Sequence, residues 1–247
     1  MRSLSHRRDD VRTKIEQRRD PAMASTTTTS ATTDATRIGI SLSTRRLLAA
    51  AAVAAPVWVA VSLAQALTRH GFGLTRHPLS ALANGSLGWI QVANFLIAGT
   101  LFIAGSVGLR RALRGSLGGT WVSRLVLVNG IAMLAAGVFR MDPMDGFPVG
   151  TPSGTPDTQT WHSNLHMVSG MVSFAALIAA CLVLGRRFTR AGELRSAVVS
   201  RAAAATLFLG NAWSLGGGPA GALTMAVGVV TAMTWVSVVA ARIRKAA

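Results

Sequence analysis

The sequence predicts an all-α, polytopic membrane protein: a bundle of six transmembrane helices with both termini on the cytoplasmic side. Three observations predict it. Half of the 247 residues are hydrophobic and only 14% are charged, against about 25% charged in soluble domains. The apolar residues are gathered into six long blocks. The arginines fall in alternate connections between those blocks.

Residues 1–46 come first and carry no apolar periodicity. The stretch 1–20 is rich in arginine, and 24–36 is dominated by Ser, Thr and Ala. Such a segment buries too little apolar area to offset its ordering entropy, which predicts a disordered cytoplasmic tail. A six-helix domain is predicted over 47–242, then a short basic C-terminus at 243–247.

The six blocks run over 47–67, 88–109, 122–139, 165–184, 197–215 and 220–241. About 20 mostly apolar residues are needed to cross about 30 Å of hydrocarbon, and each block reaches or approaches that length. The other spanning structure, a closed β-barrel, alternates in polarity over pieces of about 10 residues. These blocks do not alternate. The first follows a basic flank, as a signal peptide does, but it is too long for an ordinary signal core and starts too far into the chain.

Orientation follows from the basic residues. Ten Lys and Arg precede the first block. Arg110, Arg111 and Arg114 lie after the second, Arg186, Arg187, Arg190 and Arg195 after the fourth, and Arg242, Arg244 and Lys245 after the sixth. The other connections hold only Arg69 and Arg76, then Arg140, then none. Under the positive-inside rule this predicts both termini on the cytoplasmic side of the cell membrane. Trp89, Trp121, Trp161 and Trp213 fall near block ends, where interfacial tryptophans sit.

The net charge of +16 raises nucleic-acid binding as a class. The charge lies in the tail and in short loops rather than on one face, so the expected partner is the lipid bilayer and not a nucleic acid. Cys181 is the only cysteine, which excludes an intramolecular disulfide.

Chemistry is concentrated in the two longer connections predicted to face outward. The first contains His70, Arg76 and His77; the second contains Asp142 and Asp145 and ends at His162 and His166. His162 and His166 are spaced i, i+4, which puts both rings on one helix face about a turn apart. That spacing suits two ligands of one divalent metal such as zinc, with His77 and Asp142 as completing donors. No Glu follows His162, so the zinc-protease motif is absent. The competing reading is structural: histidines at helix ends bond loop carbonyls, and Asp-Pro and Gly-Phe-Pro are turn chemistry. Within the spans, Gln91 and Asn94 either line a ligand path or make interhelical hydrogen bonds. His70, Arg76, His77, Gln91, Asn94, Asp142 and Asp145 form the ligand-binding set.

The stretches Gly71-Phe72 to Ser80, Gly88-Trp89-Ile90-Gln91 with Asn94-Phe95, Asp142-Pro143 with Gly146-Phe147-Pro148, Gly150-Thr151-Pro152, and Trp161-His162 with Leu165-His166 resemble a bacterial and archaeal membrane family, domain of unknown function 998. The resemblance covers about residues 45–242 and departs from the family's pattern at Val149 and Ser163. It implies a multi-helix membrane domain and no particular reaction or cofactor. Two functional classes follow: a membrane protein that binds a lipid or small ligand at an outward polar cap, or a metal-dependent, hydrolase-like membrane enzyme using the outer His/Asp cluster.

Overall fold

A computed structural model describes residues 41–246. Among them are six α-helices, one short 3-10 helix and no β-strand. The helices are α1 Leu42–Thr68, α2 Gly88–Ala112, α3 Gly119–Val138, α4 Trp161–Arg190, α5 Leu194–Leu215 and α6 Gly221–Ala246. The 3-10 helix, Leu79–Ala83, lies in the α1–α2 connection.

Five of the helices are long and apolar enough to cross a membrane. The exception is α5, whose 22 residues are diluted by Arg195, Arg201, Asn211 and several serines. At about 1.5 Å per residue it still extends about 33 Å.

Helices extend past the apolar blocks where a polar residue ends or begins them. Ser41 caps α1, its Oγ accepting from the Thr44 N–H at 3.4 Å. Residues 42–46, expected to belong to the tail, are therefore the first turn of a helix. The rest of the expected tail, residues 1–40, lies outside the described residues. At the other end α6 carries its helix through Arg244 and Lys245 to Ala246. Thr160 caps α4, with Oγ1 accepting from the Ser163 N–H at 3.3 Å.

Short connections join α2 to α3, α4 to α5 and α5 to α6, which makes these neighbours antiparallel. Each helix packs chiefly on the next in sequence, and α6 returns to pack on α1. The result is a closed ring. Close helix approach is secured by small residues rather than by a hydrophobic drive, which lipid does not supply. At the α2–α3 crossing, a Cβ on Gly99 would lie 2.8 Å from the Gly130 carbonyl oxygen, and one on Gly130 2.8 Å from that of Gly99.

Helix α1 contains Pro56, exposed on its outer face, whose ring takes away a helix N–H. At the α1–α6 seam Ser237 of α6 bridges the preceding turn: its Oγ donates to the Ala51 carbonyl at 2.7 Å and accepts from the Ala55 N–H at 3.3 Å.

The ring gathers the basic residues at one end. Arg111 reaches Ser43 at 3.5 Å, Arg187 donates to the Leu117 carbonyl at 3.2 Å, and Arg242 donates to Ser196 at 3.2 Å. The α1–α2 and α3–α4 connections build a cap at the opposite end.

Candidate functional site

The cap is held by groups that the sequence marks as candidate ligands. His77 is buried, with 1% of its surface exposed. Its Nδ1 accepts from the Gly73 N–H at 2.9 Å, which leaves Nε2 as the donor to the Asp145 carbonyl, also at 2.9 Å. The ring packs beside Phe72 and Phe147, at 5.4 and 5.5 Å between centroids. Asp145 adopts φ +48° at a tight turn, and its Oδ1 accepts from the Gly154 N–H at 3.3 Å. The Asp142 carboxylate accepts from the Thr160 N–H at 2.8 Å and from its hydroxyl at 2.7 Å, so it fastens the loop to the start of α4.

Arg69, which ends α1, completes the cap from below. Its guanidinium donates to the carbonyls of Leu82 and Asn84, at 2.6 and 2.7 Å, and lies 4.9 Å from the centre of the Phe147 ring. Burial pulls its pKa below the ordinary arginine value, yet a guanidinium keeps its charge at any ordinary pH.

The expected metal donors do not converge. His166 turns inward, and its Nδ1 lies 2.9 Å from the Ala136 carbonyl and 2.8 Å from that of Phe139. It thereby caps the C-terminal carbonyls of α3, which have no partner within their own helix. His162, one turn nearer the start of α4, lies above that point and is exposed. It lies against Trp161 at 3.7 Å between centroids, tilted by 55°, and stacks with Phe139 at 6.5 Å. With His77 and Asp142 each committed to the loops, no three His, Cys, Asp or Glu side chains among the described residues form a group able to hold a metal ion. His70 and Arg76 lie exposed on the cap, away from the bundle interior.

Gln91 and Asn94 join a buried polar cluster between α1 and α2. Gln91 Oε1 accepts from Gln65 Nε2 at 2.8 Å, Gln91 Nε2 donates to Ser62 Oγ at 3.0 Å, and Asn94 Nδ2 donates to the Trp58 carbonyl at 3.0 Å. Two acceptors there, Gln65 Oε1 and Asn94 Oδ1, have no partner among the described residues, and neither has the donor Trp58 Nε1.

Beneath the cap the ring encloses a cavity. Equal cylinders in a ring of six leave a central gap, which side chains must fill or leave open. Here they leave two adjoining chambers. The inner one, of about 70 Å³, is lined by residues of every helix except α5, among them Trp58, Phe95, His166, Phe174 and Val229. The outer one, of about 230 Å³, lies against Asp142, Gln159, Ser163, Asn211 and Leu215. His166, Ser80, Gly170 and Phe174 border both.

Of the nine methionines, two precede residue 41. The other seven, Met133, Met141, Met144, Met167, Met171, Met225 and Met233, all line one chamber or the other. Thioether side chains are flexible and polarisable, and they suit surfaces that take up ligands of variable shape. The outer chamber opens sideways between α4 and α5, where Met167 and Met171 are 41% and 44% exposed and Leu215 61%. Sequence reading passes over these residues, because a methionine in an apolar helix looks the same facing a neighbour, lipid or a cavity.

The helical ring with its apolar flanks fits a multi-pass membrane protein. The chain belongs to the family described as "Protein of unknown function (DUF998)", whose model matches residues 52–242. No curated protein and no solved structure matches it.

Proposed function

We propose that this is a six-span protein of the cell membrane, with both termini cytoplasmic, that takes a lipid or small apolar ligand into the chambers beneath an outward-facing polar cap. The observation that carries this reading is the cavity: a methionine-lined space whose opening between α4 and α5 is rimmed by exposed apolar side chains. A ligand pocket is concave and mostly apolar, with a few polar groups that fix orientation. Here Ser163, Asn211 and Asp142 supply the polar rim and the bundle supplies the apolar interior.

The six-span topology is supported by the bundle ends. The arginine-rich connections share one end of the ring, as cytoplasmic loops do, and the cap with few basic residues takes the other. Although α5 alone among the six helices falls short of the apolar run of a membrane span, it packs between α4 and α6 and presents Val198, Phe208 and Leu209 outward. The polar segment 1–40 and the last residues from 243 make up the cytoplasmic extensions of this domain. The hydrolase alternative needs three converging donors and draws no support from rings that diverge.

The test is extraction in a mild detergent followed by native mass spectrometry. A retained lipid or small apolar molecule at a fixed stoichiometry is expected. Filling the outer chamber with Gly170→Phe should abolish that retention while leaving the protein folded. Retention unchanged by the filled chamber would place the ligand elsewhere and end this reading.

A further inference from the structure

We propose that the ligand is an uncharged lipid with a hydroxyl head, recognised by Trp58 Nε1 and His166 Nε2; this rests on the ligand-binding reading above. The tautomer of His166 is fixed by its neighbours. Both partners of Nδ1 are carbonyl oxygens, which only accept, so Nδ1 carries the hydrogen. In the neutral ring Nε2 is then an acceptor, and it has no hydrogen-bond partner among the described residues. His166 stands where the two chambers join.

Trp58 supplies the opposite polarity. Its indole N–H can only donate, the side chain is 3% exposed, and Nε1 has no partner among the described residues. A buried unpaired donor is unfavourable, and buried polar groups are paired almost without exception. Both residues line the inner chamber, and Phe95 packs against both rings, 6.0 Å from Trp58 and 6.2 Å from His166. Trp58 Nε1 is itself covered in this structure, so a ligand meets it only when the Trp58 ring turns toward the chamber; a ligand reaching both groups then needs one acceptor and one donor, and a hydroxyl is the smallest group with both.

Charge excludes the common alternatives. No Lys or Arg lines either chamber, so a carboxylate or phosphate head would be buried without a counter-charge. A cationic head meets only Asp142, which sits on the outer chamber and is already bonded to Thr160. The opening on the lipid side lets a hydrocarbon tail remain in the bilayer while the head enters.

The test is displacement of tritiated hexadecanol from the full chain in detergent by unlabelled hexadecanol, hexadecyl methyl ether or palmitate. The ether keeps the acceptor and loses the donor, and palmitate adds a charge. Hexadecanol is expected to displace at least about tenfold better than either, the equivalent of about 1.4 kcal/mol. Trp58→Phe keeps the ring and removes the N–H. It should weaken hexadecanol about five- to tenfold without lowering the thermal midpoint of the ligand-free protein, because no bond is lost there. Equal displacement by all three compounds overturns the hydroxyl assignment and leaves the chamber as a general apolar site. A Trp58→Phe protein that binds hexadecanol as tightly as the parent overturns it as well. Absence of specific binding by any compound overturns the chamber reading itself.

Discussion

His77 donates from Nε2 to the backbone carbonyl of Asp145, 2.9 Å away, and so ties the α1–α2 connection to the α3–α4 connection across 68 residues of chain. Both ring nitrogens are satisfied by backbone, and the ring lies between two phenylalanines. That arrangement fits a structural tie better than a metal ligand. His77→Ala is expected to destabilise the protein by about 2–4 kcal/mol, through two lost hydrogen bonds and a buried void. Thermal unfolding in detergent, followed by tryptophan fluorescence, measures this. A midpoint equal to that of the parent protein would show that the cap does not depend on this contact.

The same logic applies to His166, with a different signature. His166→Ala removes the cap on the α3 carbonyls and should lower stability, whereas His162→Ala, at an exposed ring, should leave it within about 0.5 kcal/mol. Metal analysis of both variants beside the parent separates this from the donor reading. Zinc bound at one per chain in the parent, and lost together in the two variants, would contradict the geometry.

Much of this was legible in the sequence, and what was not has physical reasons. Apolar blocks and arginine placement gave the helices, because hydrocarbon thickness and charge cost act on composition alone. Of the histidines and aspartates singled out in these connections, His77, Asp142 and Asp145 hold the cap together, while His70 and His162 lie exposed. Their roles were not readable, because an i, i+4 pair such as His162 and His166 presents one face only if both rings lie at the same depth. Here the end of α3 falls between them and captures one. Trp58 and the methionines stayed hidden for another reason: inside an all-apolar helix, periodicity does not separate a residue lining a cavity from one filling it. Arg69, counted only as a loop charge, proved to be a cap for the 3-10 helix.

Ser237 offers a test of how the ring closes. Its hydroxyl bridges the Ala51 carbonyl and the Ala55 N–H just before Pro56. Hydrogen bonds between membrane helices average about 0.6 kcal/mol, with the best near about 1.7. Two bonds to one turn of α1 place Ser237→Ala at the upper end, a loss of about 1–2 kcal/mol. Ser173→Ala, which loses a single 2.7 Å bond to Asn129 Oδ1, should cost less. The comparison is made by unfolding both in the same micelle. An equal or reversed order would mean that Ser237 does not close the ring.

Topology can be tested with the chain's own chemistry. Cys181 is the only cysteine and is fully buried, so Cys181→Ala gives a cysteine-free background at small cost. Single cysteines are then introduced as Arg114→Cys, in the α2–α3 turn, and Ser153→Cys, on the exposed cap loop. In intact cells a membrane-impermeant maleimide should label the second and spare the first, and permeabilisation should expose the first. The arginine distribution requires this outcome, because cytoplasmic loops retain positive charge. It also bears on α5: if that helix failed to cross, α6 would enter from the other side, and a cysteine at Arg244→Cys would label in intact cells. Protection of that position until permeabilisation is the expected result, and it would establish the sixth crossing together with the cytoplasmic C-terminus.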